Sequence, residues 1–231
     1  MVKSAIILAG GKGERLRPLT LDRPKPMVLL GGKPIVSYQI RQMARAGIEE
    51  IIFACSYKHE ALQKEIQTGK RYKICAKYSV EEEPLGRGGG IKKAMGELTK
   101  KWDEVLVTNG DNLWRIDINN LVAAHRRNRA IATIVVVPLK SPYGIVEYDK
   151  HNHILGFREK PVLPHWINAG VYVFNREIEK LLPDIGDHET ETFPKLPKEN
   201  FFVYQSTDYW RGIDTVKDLS EAQKEIAALF P

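Results

Sequence analysis

Residues 4–17, SAIILAGGKGERLR, decide how this chain folds. The apolar run Ala5-Ile6-Ile7-Leu8 reads as a buried strand. It empties into Gly10-Gly11-Lys12-Gly13, where three glycines in four positions permit positive φ and close approach of the backbone to a ligand. Consecutive N–H groups in such a loop can face one concavity and cradle an anion. Lys12, Arg15, Arg17, Arg23 and Lys25 crowd around it, so the stretch reads as a polyphosphate site; the plainer reading is a glycine-rich turn with a solvated basic face. A dinucleotide fingerprint would need glycine at position 16, which is Leu, and the G-x-x-x-x-G-K-[ST] loop occurs nowhere. Both motifs feed a helix whose N-terminus binds phosphate, whereas here Pro18, Pro24 and Pro26 follow and exclude a regular helix. An anion is therefore expected to be held by loop amides and side chains.

The surrounding chain has 231 residues, enough for one large α/β core. With 43% hydrophobic and 28% charged residues it reads as a soluble globular protein. Its apolar runs are too short to span a membrane, and the first is spent on the glycine loop, so no signal peptide is readable. Cys55 and Cys75 both fall in predicted strands and read as buried, reduced thiols of a cytoplasmic protein. No Cys/His spacing suits zinc. A net charge of +6 and a pI near 9.2 invite nucleic acid as a partner. However, the basic pairs Lys70-Arg71, Lys92-Lys93, Lys100-Lys101 and Arg126-Arg127 are dispersed and lack an RNA-binding aromatic motif. They read as solvated faces, so neither nucleic acid nor membrane is expected as a partner.

Downstream, helices are predicted over 34–46, 58–67, 91–98, 117–128 and 175–182, and after Thr215. Strands are predicted at 51–54, 73–78, 105–108, 130–137, 166–174 and 201–205. This alternation argues for a mostly parallel sheet covered on both faces. Residues 143–148 and 154–161 read as a hairpin. Glu81 to Gly90 reads as a glycine-rich turn that lets the backbone approach a ligand. Asp111 sits at the C-terminal end of a strand, where open α/β sheets bind ligands. Residues 183–200 read as polar, proline-punctuated and mobile. The last helix opens with a T-x-x-D capping box from Thr215 to Asp218, and Val216, Leu219, Ala222, Ile226 and Leu229 form its apolar face.

The stretch G-G-x-G-x-R-L-x-P-L-T with a following P-K-P resembles the signature of the sugar-1-phosphate nucleotidylyltransferases. The resemblance continues through G-D at 110–111, Y-G-x-V at 143–146, E-K-P at 159–161 and N-x-G-x-Y at 168–172. It implies a single nucleotidyltransferase domain over 1–231: a three-layer α/β/α, Rossmann-like fold with a mostly parallel mixed sheet and a small β-rich sugar-binding part. About residues 1–130 would form the nucleotide-binding half and about 131–231 the sugar-phosphate-binding half. By resemblance, Leu8, Ala9, Gly10, Gly11, Gly13, Glu81, Pro84, Gly86 and Gly88 bind nucleotide. Gly144, Glu159, Lys160, Asn168 and Gly170 line the sugar-phosphate pocket. Arg15 and Lys25 are catalytic, and Asp111 and Asp214 ligate Mg²⁺. Two departures stand out. Arg87 replaces the usual Thr after P-L-G, and the turn from Trp210 to Asp214 carries one extra residue and lacks the glycine before Thr215.

The acid at the start of the glycine-rich segment bears on the base. A carboxylate only accepts, which matches the adjacent N1–H and N2–H of guanine and repels the carbonyls of uracil. With Glu81 as that reader, the chain resembles guanylyltransferases for mannose or heptose 1-phosphate. The implied reaction takes GTP and a sugar 1-phosphate to NDP-sugar and pyrophosphate. Uridylyl or thymidylyl transfer to a hexose or aminosugar 1-phosphate, and a non-catalytic nucleotide-sugar-binding subunit, are the alternatives. Relatives often form homo-oligomers, and the sequence leaves that state open.

Overall fold

The computed structural model describes residues 1–99 and 102–230, so the Lys100-Lys101 pair lies outside the described residues. In chain order the elements are β1 (Ser4–Leu8), β2 (Leu29–Leu30), β3 (Lys33–Pro34), α1 (Ile35–Arg45), β4 (Glu50–Cys55), α2 (His59–Ile66), β5 (Cys75–Val80), α3 (Gly86–Gly96) and β6 (Glu104–Asn109). Then follow β7 (Asn112–Trp114), α4 (Ile118–Arg127), β8 (Ala132–Lys140), β9 (Ile145–Tyr148), β10 (Ile154–Arg158), β11 (Val162–Asn175), β12 (Phe201–Gln205), β13 (Trp210–Gly212) and α5 (Val216–Leu229). A seven-stranded sheet runs in the order β12-β8-β11-β6-β1-β4-β5. β1 pairs in parallel with β4 and β6, β4 with β5, and β12 with β8, while β11 runs antiparallel to both β6 and β8. The expected α/β architecture with a mostly parallel mixed sheet is therefore present, with β1 near its middle.

Alternation along β1 builds two cores, because side chains two apart share a face. Ala5 and Ile7 join Val36, Ile40 and Met43 of α1, Leu62 of α2 and Leu121 of α4. Ile6 faces the opposite side, against Ile91, Ala94 and Met95 of α3 with Ile178 and Leu182. A third cluster packs Leu16 and Val28 against Ile213, Ala222 and Ile226, which draws α5 against the glycine loop. The capping box forms as expected: Thr215 Oγ1 accepts from the Asp218 N–H and Asp218 accepts from the Thr215 N–H. Val216 lies on the exposed side of that helix.

Four expectations are corrected. α3 begins at Gly86, five residues before the predicted start, so the glycines lie inside its first turns. Protein packing by itself already requires several of them there. A Cβ on Gly86 would sit 2.4 Å from the Gly186 carbonyl oxygen, one on Gly89 2.3 Å from that of Asp184, and one on Gly88 2.9 Å from the His188 nitrogen. The 183–200 stretch, expected to be mobile, is folded onto this glycine face, with a π-helical turn over His188–Thr192 and both of those residues fully buried. Residues 176–180 form a 3-10 turn and not an α-helix. Cys75 is exposed, whereas Cys55 is buried and burial pushes its thiol up to about 12.

Two consequences can be measured. In an ordinary helix Gly→Ala gains up to about 1 kcal/mol. Gly89→Ala should instead lose about 2 kcal/mol in urea denaturation, because the methyl meets a backbone carbonyl that has no side-chain freedom to yield. Burial also lowers the pKa of His125 and of His188 to about 4 each. Below pH 6.5 the unfolded histidines take up protons that the folded ones refuse. Stability should therefore fall between pH 6.5 and 4 by about 3 kcal/mol per histidine, and His188→Phe should flatten its share of that slope.

Candidate active site

The glycine loop is anchored before it opens. The Ala9 N–H donates to the Ala54 carbonyl at 2.7 Å, and Ala9 itself is buried. Gly10 and Gly11 turn along a cavity of about 410 Å³. Gly13 has φ +61°, and a Cβ there would meet Lys25 Cβ at 2.9 Å and Thr20 Cγ2 at 3.0 Å, so its glycine lets the loop fold down over Lys25. Thr20 Oγ1 donates to the Gly13 carbonyl at 2.8 Å and fixes that fold. Beyond it the prolines act as expected: only single 3-10 turns form, over Glu14–Leu16 and Lys25–Met27.

Those turns deliver Arg15 and Lys25 to two aspartates. Lys25 Nζ lies 2.6 Å from Asp111 Oδ2 and 2.6 Å from Asp214 Oδ1, and Arg15 Nη2 lies 3.0 Å from the same Asp214 oxygen. Lys25 is 7% exposed, so its ammonium is almost wholly committed to this pair. Asp111 comes from the tight turn between β6 and β7. The Gly110 N–H of that turn donates to the Leu8 carbonyl at 2.9 Å, and a Cβ on Gly110 would fall 2.8 Å from the same oxygen. The buried Gln39 of α1 clamps the turn from below, donating through Nε2 to the carbonyls of Asn109 at 2.9 Å and Asn112 at 2.5 Å. Asp214 follows β13, which pairs with β7. Burial opposes ionisation of Asp214, but the hydrogen bond and charge of Lys25 with the charge of Arg15 outweigh it and hold its pKa below the usual carboxylate value.

The cavity is bounded by Leu8 and the loop glycines, by Ala54 and Ser56, by Lys25, Pro26, Asn109 and Asp111, and by Glu81, Pro84, Gly86 and Arg87. Glu81 Oε2 accepts from the Leu85 N–H at 3.1 Å, just before α3. Gly88 faces Pro183 and His188 and is not among the cavity-lining residues. Arg87 reaches the other way, with Nη2 2.6 Å from Asp187 Oδ2 and 2.7 Å from Glu189 Oε2.

Gly144, Glu159 and Lys160 gather separately around the β9–β10 hairpin. A Cβ on Gly144 would meet Glu159 Oε2 at 3.1 Å, and Lys160, at φ +45°, pairs with Glu159 at 3.8 Å. Asn168 and Gly170 sit nearer the aspartates. Gly170 has φ +67°, and a Cβ there would lie 2.4 Å from Asn109 Nδ2 and 2.8 Å from Asn112 Nδ2. The intervening Ala169 carbonyl accepts from Asn112 Nδ2 at 2.9 Å and Trp210 Nε1 at 2.8 Å. Ser56, Asn109 and Gln39 are site residues that sequence reading missed. Asn109 directly precedes the G-D pair, and nothing local marks the other two. Among the described residues no group of three or more His, Cys, Asp or Glu is arranged to hold a metal ion.

A profile described as nucleotidyl transferase matches residues 4–228. The mannose-1-phosphate guanylyltransferase of Mycobacterium tuberculosis is 37% identical over 96% of this chain and 64% of its own length. The mannose-1-phosphate guanyltransferase of Pichia angusta is 37% identical over 92% of the chain and 61% of its length. The chain thus spans somewhat over three fifths of these curated relatives. The crystal structure of HddC from Yersinia pseudotuberculosis, complexed with GMP-PN, superposes with a TM-score of 0.78 at 26% identity, covering 98% of this chain and 100% of that one.

The charge cluster carries its own prediction. Lys25→Met removes the ammonium while burial remains, so the Asp214 pKa should rise past the ordinary value of about 3.9 in a ¹³C-carboxylate NMR titration. An unmoved Asp214 would show that Lys25 does not control its charge.

Proposed function

The chain belongs to the nucleotidyl transferase family, and from that premise we propose that it transfers a guanylyl group from GTP to mannose or heptose 1-phosphate, releasing pyrophosphate. The observation that carries this reading is the cluster of Arg15, Lys25, Asp111 and Asp214 at one end of a cavity whose other wall holds Glu81. The relatives named above are guanylyltransferases or were solved with a guanine nucleotide analogue, which supports GTP. In this reading Glu81 accepts from the base, and Pro84 and Gly86 line its pocket. About residues 1–130 serve the nucleotide and about 131–231 the sugar phosphate, within one cytoplasmic enzyme.

The sugar phosphate is already ionised at pH 7, so its oxygen attacks the α-phosphorus in line without a general base. The barrier is repulsion between anions together with charge building on the departing pyrophosphate. Catalysis is then positioning and placement of cations. The amides of Gly10, Gly11 and Gly13 hold the phosphate chain. Arg15, forked for two-point contact, takes the β- and γ-phosphates. Lys25 exchanges a carboxylate partner for an α-phosphate oxygen. Lys160 neutralises the sugar phosphate, Glu159 accepts from sugar hydroxyls, Gly144 lets the ring approach, and Asn168 and Gly170 complete the wall. Asp111 and Asp214 fit Mg²⁺, because two carboxylate oxygens already converge on one cationic nitrogen and substrate phosphates would supply the remaining oxygens. When bound there, Mg²⁺ supplies Lewis-acid neutralisation of the phosphates.

The test is pyrophosphate release with Mg²⁺ across five NTPs and the 1-phosphates of mannose, glucose, N-acetylglucosamine and heptose. Activity is expected in the GTP column only; turnover with UTP or dTTP would remove Glu81 as guanine reader, and a blank grid would reject the reading. Lys25→Ala should lower kcat by about a hundredfold or more with the circular dichroism spectrum unchanged.

A further inference from the structure

Glu189 lies outside every motif singled out in the sequence, yet it stands between the two substrate regions. Its Oε2 accepts from Arg87 on the rim of the nucleotide cavity, at 2.7 Å. Its Oε1 accepts from Asn168 Nδ2 at 2.9 Å and from the Tyr172 hydroxyl at 2.8 Å. Arg87 also pins the turn that carries Glu189: its Nε donates to Asp187 Oδ2 at 2.7 Å, and Asp187 Oδ1 accepts from the Glu189 N–H at 2.8 Å.

We infer that Arg87 and Glu189 are positioning residues that lock Asn168 so that it offers its carbonyl oxygen, and not its NH₂ group, to a hydroxyl of the sugar 1-phosphate. An amide has two N–H donors and a carbonyl with two acceptor sites. A carboxylate only accepts, so the NH₂ of Asn168 must face Glu189. Its other N–H donates to the Tyr172 hydroxyl at 2.9 Å, and its Oδ1 accepts from the Gly170 N–H at 2.8 Å. Both donors are spent, and one acceptor site remains on an exposed side chain. That site lies two residues from Gly170, which packs on Asn109 and Asn112 at either end of the Asp111 turn. Burial raises the Tyr172 pKa, so its hydroxyl keeps the proton that it gives to Glu189. Arg87 fixes the Glu189 carboxylate through Oε2, at the position where the resembled family carries a threonine, which is too short to reach it in this way.

This inference rests on the transferase reading above. The test uses the sugar 1-phosphate that the wild type turns over, together with its monodeoxy analogues, each lacking one hydroxyl. In the wild type one analogue should show a KM raised about tenfold. Glu189→Gln is nearly isosteric but brings its own NH₂, so Asn168 can turn over. The penalty for that analogue should shrink to about twofold, with the GTP KM and the melting temperature held. Arg87→Ala should erase the discrimination likewise, and Arg87→Lys should restore it in part. A wild type indifferent to every deoxy analogue, variants that keep full discrimination, or a Glu189→Gln variant whose GTP KM shifts equally would overturn the inference while the transferase reading stands. A wild type without turnover on any pair would remove both.

Discussion

One ammonium group organises this molecule. Lys25 lies 86 residues from Asp111 and 189 from Asp214, and it binds both at 2.6 Å. Two aspartates that close would repel each other, and burial opposes ionisation of Asp214. The buried ammonium between them holds the two carboxylates convergent and keeps the Asp214 pKa low. Most of the chain can be read as what brings the three together. β1 ends beside the Asp111 turn, the proline-broken segment returns Lys25 over Gly13, and α5 packs on that segment so that Asp214 closes the triangle. Breaking a buried pair by removing one partner is far more costly than making it is favourable, so the arrangement specifies geometry more than it stabilises.

The same economy of position explains β11. A parallel sheet collects its functional loops at the carboxyl ends of its strands. An antiparallel strand beside β6 runs through that edge in the opposite direction, and β11 spends its middle there: Val171 pairs with Thr108, and Asn168 to Gly170 lie just before it, against the Asp111 turn. The second half of the chain thereby borders a site built mainly by the first.

How much of this could be read in advance depended on whether a local signal named its partner. The glycine loop, the proline interruptions and the capping box at Thr215 are local, and each formed as the residues predicted. The glycines at 86–90 were half legible. Their number announced a close approach, but glycine does not say what approaches, and at Gly86, Gly88 and Gly89 the backbone of residues 184–188 comes close. That backbone was unreadable for the converse reason: its polar, proline-rich composition gave no sign that His188 would be enclosed by the rings of Tyr172, Phe174 and Phe193. Gln39 was beyond reach altogether, since a glutamine amid the apolar stripe of α1 acquires meaning only once the two carbonyls that it bridges are placed.

The seam between α3 and residues 183–188 bears on how such a protein can diverge. It is written in backbone on one side and in absent side chains on the other. A mutation at Gly86 or Gly89 installs a Cβ against a carbonyl, and one at Gly186, at φ +145°, installs a Cβ against the Glu191 carboxylate, whereas Asp184 presents its carbonyl to Gly89 whatever its side chain. Drift is therefore blocked at the helix glycines and at Gly186, and freer where the facing segment offers only its backbone. Positions 187 and 189 lie on that same segment, and both hold side chains that reach Arg87. A lineage could retune the rim of the cavity there, one residue at a time, without reopening the core.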